Sequence, residues 1–279
     1  MNTEVREWGL DLNNKELYQR IQDRLPKWAR SNILTGLCGS HIHGTYIEPE
    51  AAYGTDDIDV FQIVIHPRTF YLGLDYYQHK EDSFQTHGES LDIVVYDLPK
   101  YVYLLTQGNP NVNSYLWLEP YEYLGESSAG RILIDSREHF LSQKMFLSFG
   151  GYAYGQLKRM THGERLGYMG LKRKQLLETH GYDTKNAAHC IRLFYTAIHL
   201  AKYNTLKIKL TGDELTLVKS IKRGERNVGE VERLAIDLND QFLTIKKASP
   251  LPKEVDRDTV NEILKKTFEA AWNNMEAGR

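Results

Sequence analysis

Cysteine is scarce in this chain. Cys38 and Cys190 are the only two, and neither belongs to a CxxC pair. That excludes a zinc-ribbon cluster and a disulfide framework, and it makes a reduced compartment the simplest setting. Long apolar runs are lacking as well. None approaches the ~20 residues that a membrane-spanning helix needs. The N-terminal stretch MNTEVREWGLDLNNKELY is too polar for a signal peptide. The expected location is therefore the cytoplasm, with no membrane partner. An excess of charge of one sign is also missing: 35 Lys and Arg stand against 37 Asp and Glu, a formal net charge of −2. This excludes bulk electrostatic attraction to nucleic acid as a main feature and leaves room for a local basic patch. Internal repeats, low-complexity tracts and obvious linkers are absent. What remains is a chain of 279 residues, 41% apolar and 26% charged, with room for one large domain or two ordinary ones.

The pattern along the chain divides near residue 150. Residues 14–30 read as a helix in spite of Pro26. ILTGLCGS (33–40) reads as a buried strand running into a Gly-Ser turn. IDVFQIVI (58–65) and SLDIVVYDL (90–98) read as two more strands, apolar and rich in β-branched residues. PKYVYLLTQGN (99–109) opens on proline as helices do, and NVNSYLWLEP is a short helix ended by Pro120. Asn109 and Asn111 are expected to shape the turn between them. Residues 137–180 are helical in pattern. A longer helix covers 181–204 with Asp183 or Thr184 as its cap, KIKL (207–210) suits a short strand, and two further helices complete the chain. The fold class is α+β: a mixed β-sheet followed by a mainly helical region.

The chemistry lies in the strands. Asp57 and Asp59 stand at the head of VFQIVI, and Asp92 directly precedes IVVY. The one-residue spacing puts Asp57 and Asp59 on the same face of a strand, whereas Asp56 points to the other face. Paired carboxylates repel, and hard divalent cations such as Mg²⁺ relieve the repulsion. If strand 90–96 pairs beside strand 58–65, Asp92 joins the same face. Three carboxylates so placed can hold two metal ions about 4 Å apart for in-line phosphoryl transfer. Gly39 and Ser40 supply the complement: a tight turn presenting backbone N–H groups and a hydroxyl to an anion. Each piece alone is commonly just a turn or cap. Together, in this order, they are hard to explain as turns.

These residues resemble the motif of the DNA polymerase β-like nucleotidyltransferase superfamily. The resemblance sharpens to a branch of bacterial and phage nucleotidyltransferases associated in part with RNA repair, through GSHIHGT, DDIDV, ESLDIVVYDLPKYVYLLTQGNPNV, GYAYGQLKRM and GYDTKNAAHCIRL. It implies a nucleotidyltransferase-fold sheet with helices on one side. Residues 1–150 would form the palm-like catalytic domain, and 151–279 a helical domain contributing to nucleotide and substrate binding. It also implies transfer of an NMP from an NTP, ATP among the candidates, to an acceptor hydroxyl with release of pyrophosphate. Asp57 and Asp59 would hold both of two Mg²⁺ or Mn²⁺ ions. Asp92 would hold the catalytic one and take the acceptor's proton, and Gly39 and Ser40 would bind the outgoing phosphates. One departure is the long loop of residues 41–56, a candidate substrate flap.

Basic helix faces extend the site. Lys185, His189, Arg192 and Thr196 share one face of the helix capped at 183, and Tyr152, Gln156 and Arg159 share another, with Lys158 adjacent. The family stretches favour Lys158, Arg159, Lys185 and His189 as nucleotide-binding residues, with Asp183 beside them. His41 and His43 suit stacking or hydrogen bonding near the nucleotide better than metal ligation. Tyr96, Tyr101 and Tyr103 read as core or interface aromatics, one of which a base can stack on. Six Lys and Arg over 158–174 favour an RNA or DNA acceptor. The alternatives are a non-catalytic NTP- or RNA-binding regulator, protein nucleotidylylation of the AMPylation type, and an antitoxin-like partner protein. The regulator needs a lost carboxylate, which the sequence does not show, and the helical half is too long for the antitoxin.

Overall fold

A computed structural model describes residues 14–47, 57–74, 83–86, 91–161 and 171–277. Helix α1 (Asn14–Arg24) buries Leu17 and Ile21, one turn apart, on a single face. The expectation of one helix over 14–30 is corrected. Proline carries no N–H and drives the residue before it out of the helical region, so α1 stops at Arg24 and Lys27–Arg30 forms a separate 3₁₀ turn.

Strand β1 (Asn32–Leu37) is followed by β2 (Ile58–Val64), the short helix α2 (Arg68–Leu72), β3 (Ser83–Thr86) and β4 (Leu91–Asp97). Helices α3 (Leu98–Thr106) and α4 (Pro110–Ser114) follow, each with proline in its first turn. Asn109 caps α4, its Oδ1 accepting from the N–H groups of Asn111 and Val112 at 3.1 and 3.2 Å. Strand β5 (Tyr123–Glu126) and helix α5 (Ser128–Asp135) complete this part. The sheet has five strands in the order β3-β4-β2-β1-β5. β2 and β4 run parallel, and every other pair is antiparallel. Three strands of this sheet were expected from the sequence. The two additional ones are four-residue edge strands, too short to show a period.

The remaining helices are α6 (Gln143–Thr161), α7 (Leu171–His180), α8 (Thr184–Tyr203), α9 (Gly212–Lys222), α10 (Val228–Ile245) and α11 (Arg257–Ala277). Asp183 is the cap of α8, its carboxylate accepting from Asn186 N–H at 2.9 Å. α8 packs against α6, α9 and α10 and is buried along most of its length. The expected strand at 207–210 is absent: the segment runs as a loop whose one ladder-like contact is Leu210 N–H to His43 O at 3.2 Å. Buried apolar residues of the sheet and of the later helices form one continuous cluster. α11 returns to pack on α5, and Trp272 Nε1–H donates to His66 O at 2.9 Å. No helix among the described residues is long and apolar enough to cross a membrane.

One buried polar group ties β2 to its neighbours. The Gln62 amide donates to Ala29 O, and its oxygen accepts from Gln22 at 2.9 Å and Thr35 at 3.1 Å. Gln62→Leu removes the donor to Ala29 O and the acceptor shared by Gln22 and Thr35, of which Thr35 keeps Asn32 Oδ1 at 3.2 Å, and is expected to cost about 1–3 kcal/mol. The check is a lower urea midpoint at unchanged m-value; an unchanged midpoint would show the network to be dispensable.

Candidate active site

The register of the parallel β2–β4 pair sets Asp59 directly beside Asp92. Residues paired this way stand on neighbouring strands about 4.8 Å apart with side chains on the same face. Asp57 precedes β2 immediately, two residues from Asp59, the spacing of one strand face. β1 lies antiparallel to β2 on the other side and ends at Leu37, paired with Val60. The chain then turns beside Asp59: Cys38 N–H donates to Asp59 O at 2.8 Å. Gly39 has φ +61°, a left-handed conformation that side chains resist, and a Cβ built on it would overlap the Asp59 carboxylate. Only glycine lets the turn lie against that acid. The turn closes through Thr45 N–H to Ser40 O and Gly44 N–H to His41 O, both 3.0 Å.

A cavity of about 380 Å³ opens at this point. One wall is the turn, from Cys38 through Gly39, Ser40 and His43 to Thr45, with Asp59, Val94 and Tyr96 of the sheet. Asn111, Ser114 and Tyr115 close one side. The opposite wall is helical: Lys185, Ala188, His189 and Arg192 from α8, and Val218 and Lys222 from α9. Lys222 is buried and its ammonium donates to Thr45 O at 2.8 Å. Arg192 is only 4% exposed, and its Nη2 donates to His189 Nδ1 at 3.1 Å. His189 therefore accepts at Nδ1, which leaves its Nε2 as the donor in the neutral ring. His43 Nδ1 lies 3.0 Å from Ile208 O and donates to it. Since that proton is committed, the 3.5 Å approach of Arg192 to the same nitrogen is a packing contact.

The electrostatics follow from burial. His43 is held well below its ordinary value, first by burial and then by the Arg192 charge. His189 and Lys222 add to the effect, and the bond to Ile208 opposes it. Burial also brings Arg192 down to about 9, so its guanidinium stays charged at neutral pH. On the acidic wall, burial and the Asp59 and Asp92 charges raise the Cys38 thiol, against a hydrogen bond to Tyr115. Cys38 is thus a neutral packing residue. The Ser40 hydroxyl is buried and, among the described residues, makes no hydrogen bond.

Of the residues expected from sequence, Gly39, Ser40, Asp59, Lys185 and His189 line this cavity, and Asp92 sits beside Asp59. Lys158 does not line it; its ammonium sits 4.9 Å over the ring of exposed Tyr154, one turn back on α6. Arg159 is on the last turn of α6, and its side chain lies outside the described residues. Asp56 and residues 48–55 of the long loop lie outside them too. His41 stacks on Tyr46, with ring centroids 3.9 Å apart. Tyr101 is buried, Tyr103 exposed, and Tyr96 reaches the cavity. Arg192 was legible as a member of the Lys185–His189 helix face but not as a buried cation. Lys222 carried no signal, because α9 itself went unrecognised. Among the described residues no three His, Cys, Asp or Glu side chains gather into a ligand cluster. The donor chemistry nevertheless fits a hard divalent cation: Asp59 and Asp92 present oxygen donors from neighbouring strands, with the Asp57 carboxylate two residues before Asp59.

A mixed sheet with paired acids on neighbouring strands, a Gly-Ser turn against one of them and cationic helices opposite defines the nucleotidyltransferase class. The model of the RNA repair pathway DNA polymerase beta family matches residues 18–266, nearly the whole chain, and the protein belongs to that family, within the DNA polymerase β-like nucleotidyltransferase superfamily. No curated protein matches the chain.

Two predictions follow from the geometry. Gly39→Ala should cost about 1–2 kcal/mol through the positive φ. By pushing the Asp59 carboxylate aside it should also lower NTP turnover about 10²-fold. Single-turnover assays and urea unfolding read the two effects separately, and unchanged turnover would show that Asp59 need not rest on the turn. The second concerns His43. Its folded pKa is depressed, so below about pH 6.5 the unfolded chain binds the extra proton, and stability falls as pH drops toward the lowered folded value. His43→Asn should flatten that part of the stability–pH curve; an unaltered slope would assign it to other groups.

Proposed function

We propose that the protein transfers an NMP from an NTP to an acceptor hydroxyl, with release of pyrophosphate, and that the acceptor is a nucleic-acid end. The observation that carries this reading is the in-register Asp59–Asp92 pair, with the Gly39 turn against Asp59 and Asp59 facing buried cations across one cavity. The family's description as an RNA repair pathway group supports a nucleic-acid acceptor. So do the six Lys and Arg over 158–174.

In this reading residues 1–150 carry the catalytic groups and 151–279 complete the nucleotide site. Asp57, Asp59 and Asp92 hold two Mg²⁺ or Mn²⁺ ions, which when bound neutralise charge on the transferring phosphoryl group. Asp92 takes the proton of the acceptor hydroxyl. The turn's backbone N–H groups and the Ser40 hydroxyl donate to the outgoing pyrophosphate. Lys185 and the Nε2–H of His189 contact the phosphates from α8. Lys158, over the exposed Tyr154 ring, suits an acceptor strand better than the enclosed nucleotide.

The test offers each α-labelled NTP, with Mg²⁺ or Mn²⁺, to RNA, DNA and protein acceptors. Label should reach a nucleic-acid end, and Asp57→Ala or Asp59→Ala should lower transfer by about 10³-fold or more. Asp92→Asn should largely keep NTP binding while turnover collapses; a loss of binding equal to that of Asp57→Ala contradicts its role as base. Label on protein supports nucleotidylylation instead, and NTP binding without any transfer supports a regulator.

A further inference from the structure

Helix α6 carries two glycines that its packing does not explain. Its buried face is Phe146, Phe149, Ala153 and Leu157. Gly150 belongs beside that face, since a Cβ there would overlap the Phe242 ring. Gly151 and Gly155 are different. They lie one turn apart on the outer side of the helix, and a Cβ at either would meet nothing within 4 Å among the described residues. Glycine is the poorest helix former after proline, so leaving both positions bare weakens the helix without helping the fold. The side chains around them shape a trough. At helical spacing, Leu147, Tyr154 and Lys158 fall along one edge of the glycine pair and Tyr152 along the other. Tyr152 is 49% exposed and Tyr154 45%, and the Lys158 ammonium lies 4.9 Å over the Tyr154 ring. The floor is helix backbone, and each rim carries an exposed aromatic ring. α6 also packs on α4 and α8, the helices that bring Asn111, Lys185 and His189 to the cavity.

We infer that this trough seats a single-stranded nucleic acid, whose bases stack on Tyr152 and Tyr154 and whose backbone crosses the floor at Gly151 and Gly155. The inference rests on the reading of a nucleic-acid end as acceptor and says where the strand behind that end lies. Three observations select this occupant. Stacking on an aromatic ring accepts any base, and rings half open to solvent are available for it. A side chain at 151 or 155 would stand where the strand passes, which gives the two glycines a use. Charge agrees as well: six Lys and Arg fall within residues 158–174, from the end of the trough onward, in a chain whose net charge is −2. A phosphate backbone complements that segment. A second copy of the chain would instead bring the same basic segment against its own like.

The experiment measures fluorescence anisotropy with short labelled single strands of RNA and DNA and with a duplex, without NTP or divalent metal, alongside thermal unfolding. Wild type should bind a single strand more tightly than the duplex, whose bases are already stacked. Tyr152→Ala and Tyr154→Ala should each weaken single-strand binding about 10-fold at unchanged salt dependence. Lys158→Ala should lower the salt slope by about 1. Gly151→Leu should melt no lower than wild type, since leucine is a good helix former, yet bind about 10-fold more weakly because it fills the trough. Tyr203→Ala is the control and should bind like wild type: Tyr203 is similarly exposed, with the Lys202 ammonium 5.0 Å over its ring, but it stands at the end of α8. The inference is overturned if both α6 tyrosine variants bind like wild type, if the duplex binds as tightly as the single strands, or if wild type binds no single strand. A dimer that Gly151→Leu dissolves assigns the face to a second copy and overturns it too. Single-strand binding in a protein that transfers no label would uphold the trough while removing the proposed reaction. Label transfer indifferent to Tyr152→Ala, Tyr154→Ala and Gly151→Leu would do the reverse, so the two claims fail separately.

Discussion

The pairing of Asp59 with Asp92 across the β2–β4 ladder is the constraint on which the site depends. A parallel pair cannot be closed by a tight hairpin, and here residues 65–90 make the connection. A slip of one residue between the strands would turn one carboxylate to the other face and dissolve the pair. The register is secured by what surrounds β2: buried Val60, Phe61, Ile63 and Val64, and Gln62 bonded on three sides. β1 fixes the third part, since its end beside Val60 brings Gly39 against the Asp59 carboxylate.

The helical half supplies the opposite charge. Helix α8 is a core element, and its burial is what allows Arg192 to sit at the cavity wall away from solvent. α9 adds Lys222, which bonds the end of the same turn that carries Gly39 and Ser40. His43, held neutral, reaches from the turn to Ile208 and so joins the sheet side to the helical side without adding charge. A net charge of −2 for the chain conceals this separation of acids and cations across one cavity. Composition reports the sum, and the chemistry lies in the distribution.

The strands that matter were readable in the sequence because their residues are mostly apolar and β-branched, with β2 almost wholly buried and β4 buried on one face. IVVY is a continuous apolar run and VFQIVI is broken only by Gln62, and acids at their heads stand out against them. Asp57, Asp59 and Asp92 stood out through that contrast and Gly39 and Ser40 through their place after the first strand, while the roles expected of them came from the family resemblance. The edge strands β3 and β5 were not readable, since four residues do not establish a period. Pro26 was read too leniently, and its geometry divides the first helix. The cationic wall was half legible. The α8 face was visible at helical spacing, but a sequence does not say which Lys or Arg is desolvated. Lys158 and Arg192 look alike in one dimension, yet one lies over an exposed tyrosine and the other in the core. Lys222, in an unrecognised helix, enters the site only through tertiary packing.

The most direct test of the account is a crystal structure with Mg²⁺ and an NTP analogue that cannot release pyrophosphate. The account predicts the triphosphate spanning the cavity, its reacting phosphate at Asp57, Asp59 and Asp92 and its terminal phosphates at Ser40, Lys185 and His189. A nucleotide bound outside this cavity, or one whose phosphates turn away from the Gly39-Ser40 turn and α8, would contradict it.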